Sequence, residues 1–418
     1  MSYLQIVGKQ KIEGKIKIHG AKNAVLPIMA ATLLTPESCI LHSVPSTLED
    51  VLMMKRILEA VGAHIQHEQD DMSIDLSTIS NCEAPYELVS KMRASFVILG
   101  PMLARVGQAK IPMPGGCAIG TRPVDLHLKG MQALGAEISL SNGYVNAKAA
   151  KLRGNHIYLD YPSVGATQNI MMAATLAEGS TVIENAAAEP EISDLATFLN
   201  SCGAHIHGAG TNMIRVEGVQ QLHGCQHEVI PDRIEAGTFL IAAAITGGDV
   251  FVEGAVSNHM KPLLAKLWEL GCTLQDQREG IRIQGPMKLL STNVTTLPHP
   301  GFPTDMQAQM MALLTLASGN SMITETVFEN RFQHSEELIR MGAKIRIDGR
   351  TAFVQGVTQL TGAQVQATNL RAGAALVLAG MAAEGETRVH EIYHIDRGYV
   401  KLEEKLCGIG ARIIRVEA

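Results

Sequence analysis

The chain is poor in aromatics, has no excess of positive charge, and carries neither a paired-cysteine motif nor a long apolar run. Aromatic residues make up 4% of its 418 residues, with a single Trp, too few to build stacking platforms for bases. Lys plus Arg number 35 against 41 Asp plus Glu, a net charge of −6, which argues against nucleic acid as the main partner. The uncharged apolar stretch around Ala374 to Ala383 is too short for a bilayer, which takes about 20 residues. The opening residues Met1 to Lys9 lack the apolar core and cleavage site of a signal peptide, so a cytoplasmic protein is expected. Seven cysteines are scattered without a Cys-x-x-Cys; free, mostly buried thiols are expected. His223, Cys225 and His227 alternate in a Gln/His/Gly-rich stretch. It reads as polar surface, so no metal and no cofactor are expected.

What the chain does have is one phrase written six times. It occurs at Gly62-Ala63-His64-Ile65, Gly135-Ala136-Glu137-Ile138, Gly203-Ala204-His205-Ile206, Gly271-Cys272-Thr273-Leu274, Gly342-Ala343-Lys344-Ile345 and Gly410-Ala411-Arg412-Ile413, at intervals of 73, 68, 68, 71 and 68 residues. Such spacing means one supersecondary unit copied six times. Each phrase follows an amphipathic pattern, as in Leu48 to Val61, where Val51, Leu52, Met54, Ile57 and Leu58 recur at helical spacing. The Gly is read as the helix C-cap, and a strand opens after it.

A second, nearly uncharged helix recurs in every unit: Ala24 to Leu34, Ser95 to Val106, Thr167 to Ala177, Ala236 to Ile245, Met306 to Ala317 and Ala372 to Ala383. Helices apolar all round are buried. The unit is therefore helix, strand, helix and strand pair, an α+β class. Solenoids need polar capping repeats, and the last unit is as apolar as the others. Two closed groups of three are expected.

The positions just before the buried helices hold Lys22-Asn23, Lys91 with Arg93, Ser163-Val164-Gly165, Asp232-Arg233, Thr304-Asp305 and Asn369-Leu370-Arg371. A helix N-terminus collects anions. Cations are mildly unfavourable there, so their recurrence points to an anionic ligand. Asp305, taken alone, reads as an N-cap.

The segment Pro112 to His127 packs three prolines and three glycines around Cys117. It is read as an elaboration occupying the place of the ordinary turn and strand of other repeats. A Gly-flanked thiol with Arg122 nearby, and Arg93 at a neighbouring repeat site, is expected to be reactive, on a loop that hinges as a lid.

These residues resemble a known family. Pro114-Gly115-Gly116-Cys117-Ala118-Ile119-Gly120-x-Arg122-Pro123-Val124-Asp125-Leu126-His127 is similar to the fosfomycin-target loop of the UDP-N-acetylglucosamine 1-carboxyvinyltransferase family. Further matches are Gly20-Ala21-Lys22-Asn23-Ala24, Met92-Arg93-Ala94-Ser95, Ser163-Val164-Gly165-Ala166-Thr167, Pro231-Asp232-Arg233-Ile234-Glu235, Pro300 to Gln309, Glu325 to Phe332 and His394-Ile395-Asp396-Arg397-Gly398-Tyr399.

The resemblance implies an inside-out α/β barrel in two domains of three repeats, residues 22–229 with the Cys117 lid loop and residues 1–21 plus 230–418. It implies enolpyruvate transfer from phosphoenolpyruvate to the sugar 3′-hydroxyl, in the first committed step of peptidoglycan synthesis. The implied route is addition then elimination through a tetrahedral ketal, and the implied partners are these two small molecules alone.

Carried over by matching residues, Lys22, Arg122 and Arg397 hold the phosphoenolpyruvate anion, Cys117 is the acid or phosphate-release thiol, and Asp305 is the base at the 3′-hydroxyl. Asn23, Arg93 and the Val327 backbone hold the nucleotide sugar. Arg122, Pro123, Val124, Asp125 and Leu126 frame the uracil, and Ser163, Val164 and Gly165 take the diphosphate. Arg331 and Arg371 complete a basic rim. One departure stands out: the family pattern has Asp where this chain has Asn369, a position tied to proton transfer.

Rival readings are the sister enzyme acting on shikimate 3-phosphate, which lacks the Cys-bearing loop, and a catalytically silent UDP-sugar-binding regulator, which Asn369 would suit. An RNA-end-processing enzyme on a similar repeat fold would need a basic face.

Overall fold

The computed structural model describes residues 2–90, 92–114 and 124–417; the notable loop residues Cys117, Arg122 and Pro123, and Lys91, lie outside them. The described residues of Met1–His19 and Pro231–Ala418 form one compact unit, and those between Gly20 and Ile230 form the other. No helix of the described chain is long and apolar enough to cross a membrane.

The inner helices form where the sequence offers long uncharged runs. In one unit they are Lys22–Ala31, Leu99–Val106 and Val164–Ala174; in the other, Arg233–Thr246, Gln307–Leu314 and Leu370–Ala382. Every residue from Ile234 to Ile245, from Gln307 to Leu314 and from Arg371 to Met381 is buried, and these three helices pack on one another. The sheets lie outside them, with alternating buried and exposed residues as in Met213–Glu217. Each unit thus has helices within and sheets without, as the repeat and the resemblance led one to expect.

A full repeat ends in a four-stranded sheet. In the first, Gln226–Glu228 runs parallel to Cys39–His42, which pairs antiparallel with Asp71–Asp75, itself the hairpin partner of His64–Glu68. This parallel edge strand is not legible in the sequence, because its three residues carry no periodicity. In the last repeat the strand supplied elsewhere by the hairpin comes from Tyr3–Val7, seated between Glu386–His390 and Arg412–Val416.

The second repeat requires a correction. Its strand is present, as Gln108–Pro112 paired to Tyr144–Lys148. The Pro/Gly-rich loop therefore follows the strand rather than replacing it. Buried Ala109 and Ile111 alternate with Gln108 and Lys110, a pattern too short to stand out beside the prolines. A smaller correction concerns the recurring glycines. All six have φ between +92° and +118°, but only Gly62 is itself the cap. In four repeats the Gly follows the cap residue, and in the last it comes two positions later.

A second glycine position recurs unremarked in the sequence. A Cβ on Gly8, Gly218 or Gly356 would lie 1.9, 1.6 and 1.6 Å from the carbonyl oxygens of Ala383, Ala177 and Ala317, at the ends of inner helices. The Gly218 and Gly356 N–H groups donate to Gly179 and Gly319 across the same contact. A side chain there collides with backbone. Gly356→Ala is expected to cost about 3 kcal/mol, at the upper end of overpacking penalties, seen as a lowered urea midpoint. Gly143→Ala, with nothing within 4 Å of its Cβ position and φ of +78°, is expected to lose only the roughly 1–2 kcal/mol of a left-handed alanine.

Candidate active site

Among the described residues, Lys22, Asn23, Ser163, Asp305, Asn369 and Arg371 lie at the N-terminal ends of inner helices, in both units. In the unit of Met1–His19 and Pro231–Ala418, the centre is Asp305. It sits in the 3-10 turn Thr304–Met306 that leads into Gln307–Leu314. It does not cap that helix. Its Oδ1 accepts from Arg331 Nη2 at 2.7 Å and its Oδ2 from Arg371 Nη2 at 2.8 Å. The arginine side chains are 4% and 6% exposed, while Asp305 keeps 28%. The expectation of a basic rim is corrected here: both guanidiniums are drawn inward, because a buried cation needs an anion in contact. Burial opposes the Asp305 charge, but Arg371 and then Arg331 hold its carboxyl well below the ordinary carboxylate range.

Arg371 is held from several sides. Its Nη1 donates to Tyr399 Oη at 3.3 Å, and its guanidinium lies 5.7 Å from the Tyr399 ring. Tyr399 Oη also meets Thr238 Oγ1 at 2.9 Å and accepts from Gln309 Nε2 at 3.2 Å. Burial raises the Tyr399 hydroxyl, keeping it neutral. Arg371 belongs to the first turn of Leu370–Ala382, whose N-cap is Asn369. The Asn369 Oδ1 accepts from the N–H groups of Arg371 at 3.1 Å and Ala372 at 3.0 Å. Arg397 follows the short helix Tyr393–Asp396 and is half-buried, two residues before Tyr399.

The Val327 turn depends on Glu325, which no sequence motif marks as special. Glu325 is buried. Its Oε1 accepts from Thr296 Oγ1 at 2.7 Å, Val327 N at 2.8 Å and Phe328 N at 3.2 Å, and its Oε2 accepts from Thr304 Oγ1 at 2.8 Å. Glu325 thus ties the Val327 turn to the residue preceding Asp305. The Val327 N–H is committed to this bond. Arg331 Nη1 is buried with no hydrogen-bond partner among the described residues.

In the unit between Gly20 and Ile230, Lys22 and Asn23 open Lys22–Ala31, and Lys22 Nζ donates to Asp50 Oδ2 at 3.1 Å. Ser163 caps Val164–Ala174, its Oγ accepting from Ala166 N at 3.3 Å. Val124, Asp125 and Leu126 form the start of Asp125–Ala133. They bring in His127, whose ring lies where a Cβ on Gly165 would meet Cε1 at 3.0 Å. Burial, and then the charge of Arg93, push His127 down to about 3, so the ring is neutral. The Gly100 N–H donates to Asn169 Oδ1 at 2.5 Å, so the Asn169 amide nitrogen is the group facing His127 Nδ1 at 3.0 Å. His127 Nδ1 is therefore an acceptor and the ring proton sits on Nε2. Arg93, His127 and Gly165 are drawn together at one helix N-terminus, a setting suited to an anion.

Several relatives and solved structures resemble this chain. A sequence model of the family described as EPSP synthase (3-phosphoshikimate 1-carboxyvinyltransferase) matches residues 6–406. UDP-N-acetylglucosamine 1-carboxyvinyltransferase 1 of Caldanaerobacter subterraneus subsp. tengcongensis is 59% identical over 404 residues, 97% of each chain. UDP-N-acetylglucosamine 1-carboxyvinyltransferase 2 of Carboxydothermus hydrogenoformans is 56% identical over 418 residues, covering all of both chains. Among solved structures, the enolpyruvyl transferase NikO from Streptomyces tendae superposes with a TM-score of 0.90 at 24% identity, over 100% of this chain and 99% of that one. EPSP synthase from Acinetobacter baumannii gives 0.79 at 18% identity over the whole of both chains. At such identity these two speak for the fold alone.

Removing the Asp305 carboxylate strands two buried cations. Asp305→Ala is expected to cost about 3–5 kcal/mol, the usual penalty for breaking a buried pair, measured by urea unfolding. The folded Asp305 titrates below its unfolded value, so its contribution is full above about pH 4 and fades as pH falls through the folded value. Asp305→Asn should flatten the acid limb of a stability–pH curve.

Proposed function

The chain belongs to the family of EPSP synthase-like enolpyruvyl transferases, and from that membership we infer that it moves enolpyruvate from phosphoenolpyruvate to the 3′-hydroxyl of UDP-N-acetylglucosamine, releasing phosphate. The observation that carries this reading is identity of 56% over all 418 residues to a relative named for that transfer. The reaction is the first committed step of peptidoglycan synthesis, and with it goes a cytoplasmic location, where phosphoenolpyruvate is made.

Both substrates are polyanions, so the reaction needs fixed positive charge on an acidic protein. Lys22, Arg122 and Arg397 are the residues we assign to the phosphoenolpyruvate phosphate and carboxylate, with Asn23 beside Lys22. Arg93, Ser163 to Gly165 and the segment Arg122 to Leu126 are assigned to the nucleotide. Protonation at C3 makes C2 cationic, and the sugar oxygen bonds to C2 to give a tetrahedral ketal. Loss of a C3 proton and of phosphate then forms the product double bond. Cys117 is assigned as the acid or as the thiol that assists phosphate release.

Asp305 is assigned as the base at the 3′-hydroxyl. A carboxylate held by two arginines is a weak base, and that suffices. The hydroxyl proton becomes strongly acidic once its oxygen bonds to a cationic carbon, and transfer in that transition state needs position more than basicity. Arg331 and Arg371 set that position. Purified protein given phosphoenolpyruvate and UDP-N-acetylglucosamine should release phosphate, and neither substrate alone should support release. Release with shikimate 3-phosphate in place of the nucleotide sugar would overturn the reading.

Asn369 supplies a second test. Asp caps helices as well as Asn does, so Asn369→Asp keeps the two bonds to the Arg371 and Ala372 N–H groups. The second carboxylate oxygen takes the place of the amide nitrogen beside Thr368 Oγ1 and adds a proton acceptor stabilised by Arg371. General-base help is worth about 10²–10⁴-fold. The substitution should raise kcat by at least about 10-fold with little change in KM. An unchanged or lower kcat would assign the proton transfer to Asp305 or Cys117.

A further inference from the structure

The stretch around Cys225, which the sequence marks as plain surface, takes part in a cluster of thiols built from three distant segments. Cys39 opens the strand Cys39–His42, Cys202 caps the end of helix Pro190–Ser201, and Cys225 precedes the edge strand Gln226–Glu228. Backbone bonds lock the three together. Ile40 N–H donates to the Cys225 carbonyl at 2.9 Å, and His223 N–H donates to the Cys202 carbonyl at 2.9 Å. Gly224 lies so close to the first segment that a Cβ would stand 2.1 Å from the Ser38 carbonyl oxygen. The three sulfurs all lie within 4.8 Å of one another, with 3.3 Å between those of Cys202 and Cys225. Cys39 and Cys202 are buried and Cys225 is half-buried.

The neighbouring histidines are otherwise engaged. His227 Nε2 meets Asp194 Oδ1 at 2.9 Å, and His223 Nδ1 meets the Gly224 carbonyl oxygen at 2.9 Å. Among the described residues the metal-capable group is thus three sulfurs from Cys39, Cys202 and Cys225, in place of the alternating His-Cys-His set of the sequence. Zn–S bonds of about 2.3 Å in tetrahedral geometry set sulfurs roughly 3.8 Å apart; here one pair stands 3.3 Å apart and all three lie within 4.8 Å. An all-sulfur donor set selects soft cations over Mg²⁺ or Ca²⁺.

We propose that Cys39, Cys202 and Cys225 form a three-thiolate binding site for a thiophilic cation of the zinc class. Binding exchanges thiol protons for the metal, up to three released per cation. Three thiolates on a divalent ion leave one negative charge and a fourth position for water, reached past half-buried Cys225. None of the residues assigned to enolpyruvate transfer takes part.

The test is a titration of the reduced, metal-stripped full chain with Co²⁺, followed by Zn²⁺. One Co²⁺ per chain should bind with sulfur-to-metal charge-transfer absorption and be displaced by Zn²⁺. Peptide mass mapping should find half-buried Cys225 protected from alkylation only when the metal is bound, while Cys82 and Cys407 stay reactive in both states. Cys202→Ser should weaken binding by at least about 100-fold, beyond the usual cost of losing an outer-shell partner, and Cys82→Ser should leave it unchanged. Should Cys202→Ser fail to fold, the protection pattern in the unaltered chain decides. Absence of stoichiometric binding, absorption without sulfur character, unchanged affinity in a folded Cys202→Ser, or a Cys202–Cys225 disulfide that persists under reductant and blocks Co²⁺ uptake would each overturn the proposal.

Discussion

Six inner helices that are apolar on nearly every face impose the constraint from which the rest follows. Such a helix must be covered on all sides, so three pack together and sheets wrap around them. Charge cannot sit along the helices without an uncompensated burial cost, and polar chemistry is confined to their ends. The N-terminal ends add exposed N–H groups and a positive dipole. Lys22, Ser163, Asp232, Asp305 and Asn369 all occupy these ends. The division between a silent interior and chemically active helix termini is thus a consequence of composition, repeated six times.

That logic explains why so much of the fold could be read from the chain. The recurring Gly phrase marks where one helix stops and a strand begins, and uncharged runs such as Ala372 to Ala383 announce burial without reference to any partner. Contacts between distant segments were not legible. Asp305 looks like an N-cap in sequence; that it turns instead to Arg331 and Arg371 depends on residues 26 and 66 positions away. Glu325 is one acid among many until four hydrogen bonds are seen converging on it. The cysteines at 39, 202 and 225 show no common spacing, because register between a parallel edge strand and its neighbour brings them together. Cys117, the most conspicuous residue in the sequence, lies outside the described residues, and its assigned role rests on its motif.

Asn369 shows how one position can satisfy two demands of different strictness. As an N-cap it needs a short side chain with an oxygen acceptor, and Asn or Asp serves equally. As a proton acceptor it needs a carboxylate. The fold enforces only the first demand, through the N–H groups of Arg371 and Ala372. A change from acid to amide therefore leaves the helix, the Arg371 pair and the Tyr399 network standing while altering the proton inventory around them. Stability and chemistry are separable at this residue in a way they are not at Asp305, where the same carboxylate holds two buried cations.

The strand Tyr3–Val7 lies in the middle of a sheet, between Glu386–His390 and Arg412–Val416, and Glu13–Lys17 runs beside Asp249–Glu253. A ribosome delivers the first of these strands long before either of its neighbours. The residues from Gly20 to Ile230 complete all their own strand pairings and can fold while the chain is still being made. The other unit waits, its first strand unpaired, until the last has emerged. Both pairings of Tyr3–Val7 span nearly the length of the chain, and slow, late closure is the cost of non-local pairing. During synthesis the early strand is an exposed edge awaiting its partners, and it is there that a chaperone would have most to protect.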